Sequence, residues 1–277
     1  MGLSDQSTSL FLVTIFLLCL SLVLVSLRCW VRISIKRFGL DDWLISIGLI
    51  LFLGTCVPVI VGSYDGIGTL DIHLNPGHAM TARKCFLMIQ IFYCVDSIFV
   101  KSGICVGLIR ASNKPTVRYP AYVVIAISSI AGISTLVTVL SVCKPIEAQW
   151  NPAAGKCLSP SVIVNISYFI SAVYILTDFS CVILAIVLLW NVQLNWKVKS
   201  TAACILSLGF FASTATIVRL RYLSSYFHKN DYLYGIADIV LWSIIELGLG
   251  LSAGSAAALR PLLRLILDLE RVFHRPD

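Results

Sequence analysis

The chain has 277 residues, of which 58% are hydrophobic and only 13% charged, and its mean hydropathy is +0.91. Soluble domains carry about 25% charged residues, so this balance excludes a water-soluble enzyme or scaffold and points to a polytopic membrane protein. The formal charge of +7 is not a nucleic-acid footprint, because the basic residues cluster at the ends of apolar runs, where they report topology.

Seven runs approach the ~20 residues needed to cross about 30 Å of hydrocarbon. They are Leu10–Leu27, Trp43–Gly62, Cys85–Ile109, Ala121–Val142, Ser161–Trp190, Thr201–Leu220 and Tyr234–Leu259. They predict an all-α polytopic membrane protein, a single seven-transmembrane helix bundle taking up residues 1–277, with no separate soluble domain. A signal peptide is the alternative for the first run. That run is long, however, and meets Arg28, Cys29, Trp30 and Arg32 rather than a small-residue cleavage site, so a retained helix is expected. Thirteen Lys and Arg follow the odd-numbered spans and seven follow the even-numbered ones. This bias predicts an outside N-terminus and a cytoplasmic C-terminus.

Taken along the chain, Asp41 and Asp42 open the second span, where a helix N-terminus favours acidic side chains. No further carboxylates follow at spacings that would build a metal site, so no metal is expected. The stretch Ser63–Lys84, with Gly66, Gly68, His73, Pro76, Gly77 and His78, reads as a turn-rich cover over one mouth of the bundle. The third span contains Asp96 and Lys101. A charge at membrane depth costs roughly 2.5–3.5 kcal/mol on insertion scales, so both are expected to face partners, water or a ligand.

Ten cysteines resemble a disulfide framework until they are placed. Most fall within spans, where a free thiol packs as a small apolar group. Cys143 and Cys157 flank the loop between spans four and five, and a bridge closing it would contribute about 3 kcal/mol in the chain-entropy picture. Cys85, at the end of span three, is the rival partner for Cys157; proximity in the loop favours Cys143.

Asp178 in span five and Asp238 and Glu246 in span seven complete the set of intramembrane acids. Asp178 and Glu246 fit either an interhelical clasp with Lys101 or a role in binding a ligand or donating a proton. Asp238 is expected to pair with Arg219 or Arg221. The five ionisable groups, with Tyr174 and Trp242, form the candidate lining of a ligand-binding cavity. Gly250 and Gly254 are spaced to let helices approach closely. Beyond Pro261, residues 261–275 alternate basic and apolar positions at helical spacing, which predicts a short amphipathic helix lying on the membrane surface.

The segment Arg28-Cys29-Trp30-Val31-Arg32 followed by Phe38-Gly39-Leu40-Asp41-Asp42-Trp43 resembles the opening of the fungal rhodopsin-like integral membrane family. Lys101-Ser102 with Arg110, the loop Cys143, Pro145, Trp150, Gly155, Cys157, then Asp178, Ile217-Val218-Arg219 and Ile245-Glu246 continue that resemblance in order along the chain. The family includes receptor-like proteins of plant-pathogenic fungi and membrane proteins of secondary-metabolite clusters. The resemblance implies Arg28, Arg32, Asp41 and Asp42 as a motif at the cytoplasmic end. The chain departs from the pattern at Gly66-Ile67-Gly68, where the following histidine is displaced to His73.

Despite the family name, no retinal and no other cofactor is expected, since a Schiff base needs a buried lysine and the seventh span has none. The leading expectation is a receptor-like sensor of a small hydrophobic or amphipathic ligand or metabolite, in the lipid bilayer and with a cytoplasmic signalling partner. The alternative is an intramembrane enzyme of secondary metabolism. There Asp178 or Glu246, kept protonated by apolar burial, would start an acid-triggered cyclisation or isomerisation, with Tyr174 or Trp242 steadying a cation. A transporter fits less well, for want of inverted repeats.

Overall fold

A helix in lipid satisfies its own backbone, and only such elements or closed barrels can cross a bilayer. The computed structural model describes residues 5–70, 74–112, 114–151, 154–190, 214 and 232–259. Within them are six helices long and apolar enough to span a membrane: α1 (Asp5–Ser34), α2 (Leu40–Asp65), α3 (Pro76–Ala111), α4 (Pro115–Ser141), α5 (Pro160–Trp190) and α6 (Tyr232–Ala258). The protein is an all-α, multi-pass membrane protein. The expected sixth span, Thr201–Leu220, and the expected tail helix at 261–275 lie outside the described residues; α6 corresponds to the expected seventh span.

Local chemistry sets the helix ends. Pro76 and Pro115 occupy the first turns of α3 and α4, where a missing N–H costs nothing. At the start of α2 the Asp42 carboxylate accepts the Gly39 N–H at 3.0 Å. The same helix stops at Gly66, whose φ of +119° is a left-handed conformation open to glycine, with its N–H bonded to Gly62 O at 3.0 Å. The anticipated turn-rich cover is therefore only partly loop: α3 begins at Pro76, nine residues before the apolar run at Cys85, and takes Gly77 and His78 into its first turn. Helices outrun the apolar runs because proline starts and glycine stops, not hydrophobicity, fix their ends.

Packing runs around the bundle. α2 lies along α3, α3 along α4, α4 along α5, and α6 closes back on α1 while also touching α3 and α2. α3 and α6 are the central helices; α1 and α4 are peripheral. The core is built from Leu10, Phe52, Val59, Ile236, Ile244 and Leu251, all almost fully buried. Leu12, Phe16, Ile50, Ile130, Phe169 and Leu176 point outward and are largely exposed. Large apolar residues spread over the outer faces of four helices suit contact with lipid tails and would be untenable in water.

At the end of the bundle where α4 passes to α5, two short strands, β1 (Cys143–Lys144) and β2 (Lys156–Cys157), pair antiparallel with Cys143 opposite Cys157. A disulfide joins these two cysteines. Cys85 remains a free, buried thiol. Gly155 is required here: a Cβ would come within 2.5 Å of Lys144 O and 2.6 Å of Pro145 Cδ. Cys143→Ser should cost about 2–4 kcal/mol by freeing this loop in the unfolded state. The check is the melting temperature of the purified protein with and without the substitution, which should converge once the wild type is reduced.

Candidate functional site

The middle of α3 presents Tyr93, Ser97 and Lys101 at four-residue spacing, so the three lie along one stripe. Lys101 is buried, and its ammonium meets Asp178 Oδ1 of α5 at 2.7 Å. The same Nζ donates to Thr177 Oγ1 at 3.3 Å, and that hydroxyl in turn donates to Tyr174 O at 2.8 Å. Lys101 Nζ also lies 4.4 Å from the centre of the Tyr174 ring, where the aromatic face attracts a cation. Tyr174 packs edge-on against Tyr93 at 6.4 Å between centroids, and the Tyr93 hydroxyl donates to Glu246 Oε2 of α6 at 2.9 Å. A relay of contacts, Asp178–Lys101–Tyr174–Tyr93–Glu246, polar at both ends and joined in the middle by ring packing, therefore ties α5, α3 and α6 together at membrane depth.

Next to this relay, on the side of the disulfide loop, α3, α4, α5 and α6 line an open cavity of about 630 Å³. This is within the range of sites that take drug-sized ligands. Among the described residues its wall is largely apolar, from Phe86, Ile89, Ile166 and Ile170, with Arg83, Gln90 and Gln149 among its polar points besides Ser171 and Ser243. Tyr93 belongs both to this wall and to the relay.

The remaining predicted site residues are dispersed. Asp238 Oδ1 accepts a hydrogen bond at 2.7 Å from Gln6 Nε2 of α1. Its expected partners Arg219 and Arg221 lie outside the described residues. Trp242 is only partly buried on α6 and is not among the described lining residues. Asp96 is fully buried, and neither of its oxygens has a hydrogen-bond partner. Among the described lining residues the cavity includes none of Asp96, Lys101, Tyr174, Asp178, Asp238, Trp242 or Glu246; the relay touches it through Tyr93. Sequence reasoning missed Tyr93 and Thr177. The available signal was that Tyr93 lies two turns from Lys101 on the same helical stripe.

A second charged cluster occupies the opposite end of the bundle. Arg28 of α1 meets Asp41 Oδ2 and Asp42 Oδ1, each at 2.7 Å, and donates to Gly254 O of α6 at 2.8 Å. Arg110 of α3 meets Asp41 Oδ1 at 2.7 Å and also donates to the Arg37 carbonyl. Arg32 stands farther off, 3.8 Å from both acids. Asp41 and Asp42 are thus more than a helix start: they are the shared anion around which α1, α2, α3 and α6 converge.

Comparison with known proteins follows these contours. A family model described as "Fungal rhodopsin domain" matches residues 27–265. "Wortmanamides biosynthesis cluster protein C" of Talaromyces wortmannii is 23% identical over 88% of this chain and 68% of its own length. "Fugralins biosynthesis cluster protein 2" of Gibberella zeae is 27% identical over 39% of this chain and 27% of its own length. "Receptor GIN3" of Arthrobotrys oligospora is 25% identical over 65% of this chain and 43% of its own. The chain thus spans less than half of the length of the latter two relatives. No solved structure matches it.

Proposed function

Since the chain belongs to the fungal rhodopsin domain family, we propose that it is a receptor-like sensor, taking a small hydrophobic or amphipathic ligand into the cavity beside the disulfide-tied loop. The Lys and Arg distribution supports an orientation with that loop outside and the Arg28 cluster in the cytoplasm. Similarity to a receptor and to proteins of metabolite clusters supports the same reading, with a secondary metabolite as the ligand class.

The observation that carries the proposal is the double position of Tyr93, in the cavity wall and on Glu246. A ligand hydroxyl or carbonyl that draws the phenol toward itself weakens the α3–α6 link. Because α6 also supplies the Gly254 carbonyl to Arg28, a shift of α6 reaches the basic face at the far end. Such a ligand acts by preferring one helical arrangement over another.

Glu246 also carries the second reading, acid catalysis on a hydrophobic metabolite, because its Oε1 has no hydrogen-bond partner. Asp178 suits that role poorly, being held by the Lys101 cation at 2.7 Å.

The test is to incubate nanodisc-embedded protein with an organic extract of the producing fungus and identify retained compounds by mass spectrometry. Retention of an unaltered compound, lost when Ile166→Trp fills the cavity, supports a sensor. Conversion of a compound, abolished by Glu246→Gln, supports the enzyme. Failure to retain or convert anything removes both. Tyr93→Phe deletes one hydrogen bond to a carboxyl group, worth about 1.5–3 kcal/mol when that group is charged. Its expected outcome is binding kept within severalfold while the ligand-induced change, read by a fluorophore at the Arg28 end, falls at least tenfold.

A further inference from the structure

The cavity wall carries charge of one sign only. Among the described lining residues Arg83 is the one with a permanent charge, and none is an aspartate or glutamate. Asp238, next in sequence to the lining residues Ile239 and Val240, takes its hydrogen bond from Gln6 of α1. Arg83, Phe86, Gln90 and Tyr93 recur at intervals of three and four residues, so one stripe of α3 supplies cation, apolar surface, amide and phenol in that order. Arg83 and Tyr93 are ten residues apart, which is about 15 Å along a helix axis. The cavity therefore has a cationic end and, far down the same helix, a hydroxyl end.

The cationic end lies against the disulfide loop, where Lys84 Nζ sits 5.6 Å from the centre of the Trp150 ring. Lys144 and Lys156 stand directly opposite one another in β1 and β2, both exposed. Like charges paired in this way weaken a strand pair, so the loop keeps them at a cost. Among the described residues of the loop, Glu147 is the acid that opposes them. A collar of this sign raises the local concentration of anions and speeds their entry.

A guanidinium at a membrane boundary commonly extends its charged head into water. Here the exposed cation is Lys84, while Arg83 is half-buried in the cavity wall. Its planar fork matches a carboxylate with two parallel hydrogen bonds. One cation in a largely apolar wall balances a monoanion; a dianion would leave a charge unpaired where that is costly.

We propose that the cavity selects amphipathic monocarboxylic acids, with the carboxylate on Arg83 and the apolar chain lying along α3 towards Tyr93. Arg83 is then the residue that determines specificity. The inference rests on the reading of the cavity as a ligand site and adds the chemical class of its occupant.

The experiment is equilibrium dialysis of radiolabelled lauric acid, its methyl ester and laurylamine against the full chain in phosphatidylcholine nanodiscs, with empty nanodiscs subtracting lipid partition. The probes share one apolar chain and differ in the charge of the head; a pH of about 8 keeps the carboxyl ionised. The wild type should bind the acid about tenfold more tightly than the ester, with the amine weakest. Arg83→Gln should bring the acid to the level of the ester and leave the ester unchanged, while Arg83→Lys should keep part of the preference. Ile166→Trp should abolish saturable binding of both. Comparing probes on the wild type does not depend on any variant's folding. Equal affinity for acid and ester in the wild type, or a preference for the acid that survives Arg83→Gln, overturns the proposal; loss of that binding in Ile166→Trp would still uphold the cavity as a ligand site. Absence of saturable binding by every probe removes the cavity reading, and this inference with it.

Discussion

Lys101→Met should all but remove folded protein from the membrane, while Lys101→Met combined with Asp178→Val should restore most of it. The single change leaves the Asp178 carboxylate facing a thioether where it had an ammonium at 2.7 Å. Breaking one side of a buried ion pair costs about 3–5 kcal/mol, whereas exchanging both partners for apolar groups is often neutral. That loss is comparable to the whole stability of many domains. Monodisperse protein recovered on size-exclusion chromatography after mild detergent extraction gives the comparison directly. If the double substitution is as damaging as the single one, the pair contributes through its hydrogen bonds to Thr177 and its contact with Tyr174 rather than through charge balance.

At the other end of the bundle, Asp42→Ala should destabilise the fold by about 3–5 kcal/mol, because it leaves a buried guanidinium short of an anion. Asp42 is fully buried, holds Arg28 Nε at 2.7 Å and accepts the Gly39 N–H that starts α2, so one substitution removes both an ion pair and a cap. Arg32→Ala is the contrast. Its guanidinium is 3.8 Å from the acids and partly exposed, and contacts of that kind are worth about 1 kcal/mol or less. Melting temperatures of the two variants, measured side by side, should therefore separate widely. Equal losses would mean that the cluster acts as a diffuse basic collar rather than through Arg28 and the two aspartates.

Hydropathy and charge made the membrane class, the family motifs and six of the seven spans legible without coordinates, since those depend on runs and order along one chain. The disulfide was legible for a related reason: Cys143 and Cys157 close a short loop, and proximity in sequence stands in for proximity in space. Pairings between helices were not. Lys101 and Asp178 are 77 positions apart on helices whose rotation no hydropathy pattern reports. Glu246 satisfied the same criteria as a partner for Lys101, yet its hydrogen bond goes to Tyr93, a residue that polarity alone never singled out. The bond from Gln6 to Asp238 was equally hidden, because α6 lies along α1, a closure that follows from how the bundle rolls up. The cavity escaped for a different reason: most of its wall is ordinary apolar side chains, which look the same in sequence whether they face a neighbour or a void.

The spacing of Arg28 from its acids bears on how the chain is made. Asp41 and Asp42 leave the ribosome only 13 and 14 residues after Arg28, so this cation and its counter-charges belong to one hairpin. Lys101 has no such provision, for its aspartate is synthesised a further 77 residues on. A nascent chain halted between α3 and α5 therefore holds the Lys101 ammonium without its aspartate.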